Sequence, residues 1–562
     1  MNASTKIESL YTGITGSALS FTKASSFALE VLILIDLWLL SLIQITGGFY
    51  FQQISFRWPW IPLAVLGLSV FLRVKLLRRG IVLMLLSNPV SYLTVMFSTF
   101  AALILASNYA AYVSFEYSNF HDLALYNQAM FNFVHGRGFI DPLWGVNLLG
   151  DHSELIVAPI SIIYYFFQSP LTLLYIQAIA IGAGIFPLYF LARIKLGNSY
   201  IPFIICFSYL TFPAILNMSS WTEFRPITFA IPILFTAFYF YEADRPYLFV
   251  FSMVAAALVK EEVPLVVATA GLYILLLGRK ERIGYKTGLF LLLFGTGFFF
   301  LMIKVLIPYY GKAPYPHFVR LNGGDGIFMA LLKNPLMLFT NEEFLTIEKI
   351  KYFFDLFLKT GFVPLFSAVL FIPLSNWAQV VLSPDASVIS QHWHNTLIII
   401  FIFISLVFGL AALKKHSRFA YALSIFAVIT SSVYFGTTAF NQLIMMPLRD
   451  KAFFSRSFEA TYFNDLKRLI VEVPNDKSVY TTFRALPYVS SREHVFWYPK
   501  LHEWKEAEYI LFGYSFVNDT EMKKLNEGLG LGDFKKIGES GQFQLWSRQE
   551  KNKGISEASH AR

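Results

Sequence analysis

The chain has 562 residues, of which 56% are hydrophobic and only 14% are charged, and its net charge is +9. Soluble globular proteins carry about 25% charged residues, so this composition excludes an ordinary soluble protein. The single cysteine, Cys206, excludes a disulfide framework and a cysteine-built metal site. In a membrane protein a positive net charge reflects loop topology, so we expect membrane lipids and no nucleic acid as partners.

Charge is distributed unevenly along the chain. The last 121 residues hold 34 of the 81 Asp, Glu, Lys and Arg residues, although they are about a fifth of the sequence. This contrast predicts a boundary near residue 440. We expect two N-terminal transmembrane helices within 1–90, a transmembrane body over 91–440, an extracytoplasmic α/β domain over 441–550 and a disordered tail over 551–562.

The apolar segments predict a polytopic α-helical membrane protein with about 13 spans, because a bilayer core requires about 20 apolar helical residues. The expected spans are 27–50, 58–76, 92–113, 170–192, 199–217, 222–241, 246–260, 262–278, 285–307, 353–373, 374–391, 395–413 and 419–440. The stretch from Leu155 to Phe167 is too short to span, and we expect it to lie along or dip into the membrane surface.

Basic loops predict the orientation, because Lys and Arg concentrate on the cytoplasmic side of membrane proteins. The basic loops contain Arg73, Lys75, Arg78, Arg79, Arg193, Lys195, Arg245, Arg279, Lys280, Arg282, Lys286, Lys414, Lys415 and Arg418. We therefore expect an integral plasma membrane protein with a cytoplasmic N-terminus. The loops 114–153, 217–222 and 308–352 and the C-terminal domain would lie outside.

The outer loop 114–153 is the most informative segment. Leu123, Tyr126, Met130 and Phe133 form a helical stripe, which predicts an amphipathic helix on the membrane surface. Asp122 lies one step from this stripe. It would either solvate the polar face and cap the helix, or stand at the lipid–water boundary as a functional acid.

A second acidic motif, Asp151-His152-Ser153-Glu154, ends the same loop. Asp151 or Ser153 would cap the following helix. Alternatively, Asp151 and His152 would bind a divalent metal ion together with Asp122, since carboxylate and imidazole groups ligate such ions. If Asp122 and Asp151 meet at one membrane face, they would form a general-base site.

Charged residues at the ends of later spans supply further candidates. Lys260-Glu261-Glu262 would form either a polar turn or a lysine that grips a lipid phosphate, because three ionisable residues are costly at membrane depth. We interpret Glu223 and Arg225 as a local pair. His392 and His394 are interpreted as residues of the interfacial belt or as metal ligands.

Several segments in one order resemble a known family: FHDLALYNQAMFNFVHGRGF, LLGDHSELIVAPI, SPLTLLYIQAIAIGAGIFPLYFLAR, KEEVPL, KVLIPYY and QHWHNTL, together with the tail from VEVPNDKSVY onward. Over about 90 to 562 the chain resembles the predicted membrane proteins of domain-of-unknown-function family 2079. That family is similar in organisation to the polytopic glycosyltransferases of the GT-C class.

The resemblance implies a membrane glycosyltransferase that takes a sugar from a polyprenyl- or dolichyl-phosphate carrier on the outer face. It places the essential acid of the first outer loop at Asp122 and a second acid at Asp151. The chain departs from the pattern in two ways. It has no WWDYG-type motif, and Phe224-Arg225-Pro226 stands where the family has His-Pro.

The sequence therefore yields a committed site and two rival classes of function. We predict Asp122 and Asp151 as catalytic, and Asp122, Asp151 and His152 as ligands if a divalent metal takes part. The predicted substrate contacts are His121, Tyr126, Gln128, His152, Lys260, Glu261, Arg320 and His394. The rival classes are a lipid-linked-sugar flippase or other solute transporter, with Glu261, Glu262 and Asp36 along a pathway, and a non-catalytic membrane protein.

Overall fold

A computed structural model describes much of the chain between residues 49 and 549. The described residues are 49–51, 54–56, 89–113, 120–141, 146–220, 223–312, 315, 333–336, 340, 344, 346–383, 389, 392–445, 461–482, 485–497, 506–513, 523, 527, 529 and 533–549. Within them the chain forms a helical body followed by a small sheet domain. The predicted span 58–76 lies outside these residues, and so does the predicted span 27–50 except for residues 49 and 50. Those two residues belong to a short antiparallel hairpin of β1 (Phe49–Phe51) and β2 (Ile54–Phe56).

The helices of the body follow the apolar segments of the sequence. In chain order they are α1 (Pro89–Val113), α2 (Phe120–Val134), α3 (Val157–Phe166), α4 (Pro170–Ala183), α5 (Ile185–Leu196), α6 (Ile201–Leu210), α7 (Pro213–Ser219), α8 (Ala230–Glu242), α9 (Pro246–Ala257), α10 (Val263–Leu276), α11 (Tyr285–Leu301), α12 (Ile307–Gly311), α13 (Ile347–Leu358), α14 (Leu374–Leu382), α15 (Thr396–His416) and α16 (Arg418–Phe440). A two-stranded pair, β3 (Ile140–Asp141) with β4 (Val146–Asn147), lies between α2 and α3.

Five helical stretches in the described part are long and apolar enough to cross a membrane: Pro89–Val113, Pro170–Leu196, Tyr285–Gly311, Trp393–His416 and Arg418–Ile444. A sixth is counted if α6 and α7, bent by 54° at a short break, form one span. Four more apolar helices have 10–17 residues. The expected count of about 13 is therefore not confirmed.

Two expected spans, 353–373 and 374–391, are wrong as continuous helices. Helix α13 ends at Leu358, and two short 3-10 turns follow it at Val363–Phe366 and Ala368–Phe371. Helix α14 has only nine residues. The interruption has a local cause, because Gly361 and Phe362 adopt positive φ angles and Pro364 and Pro373 supply no backbone N–H to a helix.

The central helix of the body is α15, whose residues from Thr396 to Val407 are all buried. Aromatic side chains from neighbouring helices pack on its Phe401 and Phe403, including Tyr209 at a ring-centroid distance of 5.3 Å. In contrast, α3 leaves Ile162, Tyr165 and Phe166 largely exposed, which fits a segment that lies along the membrane surface.

The C-terminal domain is an α/β unit, as the sequence predicts. Its elements are α17 (Thr461–Val471), β5 (Val479–Thr481), α18 (Leu486–Val489), β6 (Val495–Trp497), β7 (Tyr509–Gly513), β8 (Phe534–Ser540) and β9 (Phe543–Arg548). The sheet order is β6-β5-β7-β9-β8, with parallel pairing of β5 to β6 and β7 and antiparallel pairing beyond. Leu466 and Leu469 of α17 pack with Val479, Leu511 and Leu545 of the sheet.

The predicted helix is present at α2, but its polar face is not exposed to solvent. Leu123, Tyr126 and Met130 pack into a cluster of the helical body, while Ala124 belongs to the core of the C-terminal domain. The helix is therefore enclosed on two faces. Its polar residues Asn127, Gln128 and Asn132 are buried as well, because they meet a second domain instead of water.

Candidate functional site

Ionisable residues from four segments of the chain converge at one end of the helical body. They come from the first turn of α2, the loop before α3, the loop between α7 and α8, and the turn between α9 and α10. The sequence predicts all these segments at one membrane face. We call the assembly the ionic network: Asp122, Glu154, Glu223, Arg225, Lys260, Glu261 and His152.

Arg225 holds the first part of the network together. Its guanidinium forms ion pairs with the carboxylates of Asp122 and Glu223. The same guanidinium lies over the ring of Trp393, 4.7 Å from the ring centroid. The side chains of Asp122 and Arg225 are about a fifth exposed, whereas Glu223 is buried. The Asp122 carboxylate is therefore accessible from the protein surface, and the Glu223 carboxyl group lies behind it.

Gln177 of α4 fixes the loop that carries Arg225. Its side-chain NH₂ donates hydrogen bonds to the carbonyls of Met218 and Glu223, both at 2.8 Å. The backbone N–H of Arg225 donates in turn to the Gln177 Oε1 at 2.6 Å. One buried amide thus satisfies three backbone groups of a loop, which locks the loop in place.

Glu154 forms the second part of the network. It accepts a hydrogen bond of 2.7 Å from the hydroxyl of Tyr126, one turn along α2 from Asp122. The Lys260 Nζ lies 3.9 Å from its other oxygen. Because Tyr126 and Asp122 share α2, this contact links the lysine to the segment that carries the predicted catalytic acid.

Glu261 forms the third part. It accepts from the His152 Nδ1 at 2.6 Å, from the backbone N–H of Ser153 at 3.0 Å and from the Tyr315 hydroxyl at 3.1 Å. The Asp151 carboxylate is half exposed and lies 3.8 Å from the His152 Nε2. The contacts therefore group Asp151 with His152 and Glu261, and Asp122 with Arg225 and Glu223.

A close backbone approach positions Asp151 and His152. The 3-10 turn Leu148–Gly150 precedes them, and Gly150 packs directly on Gly311 at the end of α12. A Cβ added at Gly150 would lie 2.4 Å from the Gly311 Cα, so a side chain is excluded here. The contact brings the end of the span from Tyr285 against the Asp-His motif.

Burial and pairing shift the network's carboxyl groups in opposite directions. Burial raises the pKa of Glu154 to about 7, against the opposing effect of the Lys260 cation. Burial likewise raises the pKa of Glu223 to about 8, against the effect of Arg225. Burial also acts to raise the pKa of Glu261, but the contact with His152 outweighs it and holds this pKa below its usual range. Glu154 and Glu223 thus hold a proton more tightly than Glu261 does.

The predicted site residues divide into three groups. Asp122, Tyr126, Lys260, Glu261 and His152 all take part in the ionic network, and Asp151 adjoins it. Gln128 instead donates to carbonyls of the C-terminal domain, and His394 lies beside Trp393. Arg320, the side chain of His121 and the side chain of His392 lie outside the described part of the structure.

Sequence reasoning underestimated three residues, Arg225, Glu223 and Trp393. Glu223 and Arg225 do form the predicted local pair, but Arg225 also binds Asp122, 103 positions earlier in the chain. The sequence did contain a signal for this contact. The TEFRP motif stands at the end of a predicted span, on the same predicted membrane face as loop 114–153. Trp393 gave no such signal, because aromatic residues are ordinary at membrane interfaces.

The arrangement does not fit the expected metal site. Asp122 faces a guanidinium, which competes with a metal ion for the carboxylate. Among the described residues, no three His, Cys, Asp or Glu side chains are grouped so that they could hold a metal ion. Metal binding by Asp122, Asp151 and His152 therefore enters no step proposed below.

The family is decided by comparison with known sequences. A family described as "Predicted membrane protein (DUF2079)" matches residues 111–533, about three quarters of the chain. The chain belongs to this family. The apolar helices of this DUF2079 protein agree with the description of a membrane protein. A search of curated proteins finds no match.

Two solved structures are similar to the DUF2079 protein at low sequence identity. ArnT from Cupriavidus metallidurans bound to undecaprenyl phosphate is 10% identical, with a TM-score of 0.48, covering 82% of this chain and 98% of ArnT. An Archaeoglobus fulgidus oligosaccharyltransferase tethered to an acceptor peptide is 11% identical, with a TM-score of 0.39, covering 82% and 74%.

Proposed function

We propose that this DUF2079 protein is a membrane glycosyltransferase that moves a sugar from a polyprenyl-phosphate carrier to an acceptor hydroxyl. The observation that carries the proposal is the Asp122–Arg225–Glu223 cluster. It combines a partly exposed carboxylate with a buried carboxyl group and a shared cation, at the end of an apolar helical body. The cluster joins a residue of α2 to a pair that lies about a hundred positions later in the chain, and ionisable groups perturbed by burial and by a charged partner are concentrated at functional sites.

Asp122 is the proposed general base. An acceptor hydroxyl approaches the exposed side of the carboxylate and transfers its proton to it, while the hydroxyl oxygen bonds to the anomeric carbon of the sugar. The bond between that carbon and the phosphate oxygen breaks, and the phosphate leaves with the electron pair. Arg225 and Glu223 hold the carboxylate in a fixed orientation, which lowers the entropic cost of the step.

The leaving phosphate requires positive charge, because its departure concentrates negative charge on the phosphate oxygens. Lys260 and the His152 imidazolium are the proposed donors. Both side chains are less than 15% exposed and lie against buried glutamates, Glu154 and Glu261 respectively. Each glutamate would keep its partner charged and correctly oriented. Asp151, the second acid, would assist by orienting His152.

The donor and the acceptor are proposed at different levels of detail. The proposed donor is a sugar linked to a polyprenyl phosphate, the carrier class that the sequence resemblance implies. The lipid chain would stay among the transmembrane helices while the sugar reaches the network. The acceptor is proposed only as a hydroxyl-bearing glycan, lipid or protein.

The test is sugar transfer by the purified full chain in lipid nanodiscs, with radiolabelled polyprenyl-phosphate sugars. Asp122→Asn should lower transfer by at least a hundredfold, because the amide cannot accept the proton, and general bases contribute about 10²–10⁴-fold. Asp355→Asn is the matched control. It makes the same change at a half-exposed aspartate in a surface pair with Lys359 and should leave transfer unchanged.

Two results would contradict the proposal. Transfer by Asp122→Asn at the wild-type rate would remove Asp122 from the role of base. Carrier binding with no sugar release by the wild-type chain, for every carrier tested, would favour the flippase class or a non-catalytic protein. A third variant, Asp151→Asn, tests the second acid, and its loss should be smaller because Asp151 acts through His152.

A further inference from the structure

The C-terminal domain contacts α2, the helix that carries Asp122. A short segment of the domain, residues 486–493, lies along this helix; we call it the docking segment. It contains α18 and the loop that leads to β6. The docking segment also reaches beyond α2, since the Ser491 hydroxyl donates to the Gln168 carbonyl after α3 at 3.4 Å, and Ala124 of α2 packs in the core of the domain.

Buried amides of α2 bind the docking segment. The Asn127 side-chain NH₂ donates to the hydroxyls of Ser490 at 2.8 Å and Ser491 at 3.0 Å. The Gln128 NH₂ donates to the carbonyls of Arg492 at 3.4 Å and Glu493 at 3.2 Å. Both amides are fully buried. Buried polar groups are costly without partners, so undocking would leave these amides unpaired or force the interface to admit water.

The body holds the same amide from its other side. The Tyr164 hydroxyl of α3 donates to the Asn127 Oδ1 at 2.7 Å. Asn127 therefore bridges α3 and the docking segment through its two side-chain atoms. An asparagine in this position specifies one rotational setting of α2, because turning the helix by one residue would break both sets of hydrogen bonds.

Apolar contacts and a charge pair extend the interface. Leu125 and Tyr488 pack against both the cluster of the body and the core of the domain. The Tyr488 ring lies 4.6 Å from that of Tyr112 at the end of α1. Arg137, beyond the end of α2, pairs with Glu493 at 3.1 Å. The domain is thus attached along the helix from its first turn to the loop after it.

We infer that the C-terminal domain acts as a clamp that positions α2, and so the Asp122 carboxylate relative to Arg225. The catalytic consequence rests on the function proposed above, but the clamp itself does not. Asn127, Gln128 and the docking segment are positioning elements, since they act on Asp122 through the helix. A domain that merely covered the outer face would not need buried amides inside the helix that it covers.

The test uses Gln128→Glu in the full chain, which keeps the side-chain shape but turns a carboxylate toward two carbonyl oxygens. Hydrogen–deuterium exchange should become at least tenfold faster in α2 and in the docking segment, with α15 unchanged. Gln549→Glu is the matched control, because it makes the same change at an exposed residue that follows β9. If Gln128→Glu leaves the exchange of α2 unchanged, the clamp is overturned.

A charge exchange provides a second route that keeps the protein folded, because Arg137 and Glu493 are both partly exposed. Arg137→Glu should speed the exchange of α2, and adding Glu493→Arg should restore it. If the double variant exchanges as fast as the single one, the clamp is again overturned.

The positioning role is read from the kinetics of the same variants. In Gln128→Glu the kcat for transfer should fall about tenfold, while the KM for the carrier changes less than twofold, because Lys260 and His152 are untouched. Faster exchange of α2 with an unchanged kcat would overturn the positioning role. If the wild-type chain transfers no sugar, the proposed function fails, and the exchange results alone decide whether the clamp exists.

Discussion

The two ends of the helical body pair their charged side chains in different ways. At the basic end, the Glu242 carboxylate forms ion pairs with two lysines, Lys195 at 3.2 Å and Lys280 at 2.8 Å. At the other end, the Arg225 guanidinium serves two carboxyl groups, Asp122 and Glu223. One end surrounds an anion with cations, and the other surrounds a cation with acids.

The same stretch of chain connects the two ends. Arg225 comes directly before the 3-10 turn that leads into α8, and Glu242 is the last residue of α8. Seventeen helical residues span about 25 Å, close to the thickness of a bilayer core. The excess of basic residues at the Glu242 end is what the positive-inside rule requires of a cytoplasmic face. The acidic end needs another explanation, and the proposed catalytic role of Asp122 would supply one.

The largest difference is expected when each end loses its cation. Arg225→Leu should lower the free energy of unfolding by about 3–5 kcal/mol, because it leaves Asp122 and the buried Glu223 without their shared partner. Lys280→Leu should cost less than about 1 kcal/mol, because Lys195 still pairs with Glu242. The measurement is chemical unfolding of both variants in detergent micelles. Equal losses would mean that the two ends do not differ in the way described.

A pH difference of intermediate size is expected from the acidic end. The folded-state pKa values of Glu154 and Glu223, about 7 and about 8, lie above the ordinary value of 4.5. The folded protein therefore holds these protons more tightly than the unfolded chain does. The resulting stabilisation is complete below pH about 4.5 and is lost as the pH rises through 7 and 8.

The free energy of unfolding should thus fall between pH 5 and pH 8, by on the order of 3 kcal/mol for Glu154. Glu154→Gln should reduce this dependence by the share of Glu154, since an amide does not titrate, while the share of Glu223 remains. Glu472→Gln, the same change at an exposed glutamate of the C-terminal domain, should leave the dependence unchanged. A slope as steep in Glu154→Gln as in the wild type, measured by unfolding at pH 5.5 and 8.5, would assign the titration to other groups.

The comparison of the two ends also indicates what the sequence could predict. Composition and loop charge predicted the helical body, the C-terminal α/β domain and the loops that converge on the ionic network. Lys260 and Glu261 were singled out because charge is costly near a membrane and is therefore conspicuous in a sequence. Asp122 was singled out by the family resemblance, and His152 by its place beside Asp151. The partners of these residues were not found, because Arg225 and Asp122 are 103 positions apart, and a pair at that separation leaves no local pattern.

The role of α2 was missed for a related reason. Periodicity identifies one apolar face, but it does not reveal that a second domain covers the polar face. Gln128 was therefore predicted as a substrate contact and Asn127 was given no role, although both are buried against the docking segment. The broken spans after α13 were missed because apolar composition was given more weight than Gly361, Pro364 and Pro373.

The smallest expected effect concerns the aromatic face of the Arg225 site. Trp393→Phe should lower the free energy of unfolding by about 0.5–1 kcal/mol, because Phe presents a weaker π-face to the guanidinium than Trp does. Lys280 lies 5.2 Å from the ring centroid of Tyr241 at the basic end, and this contact should be unaffected. The change in thermal unfolding of Trp393→Phe should be absent in the background of Arg225→Leu, since the cation is then missing. If Trp393→Phe costs as much in that background as in the wild type, Trp393 stabilises the site by packing alone. The Arg225 cation would then contribute less to the stability of the acidic end than the comparison of the two ends requires.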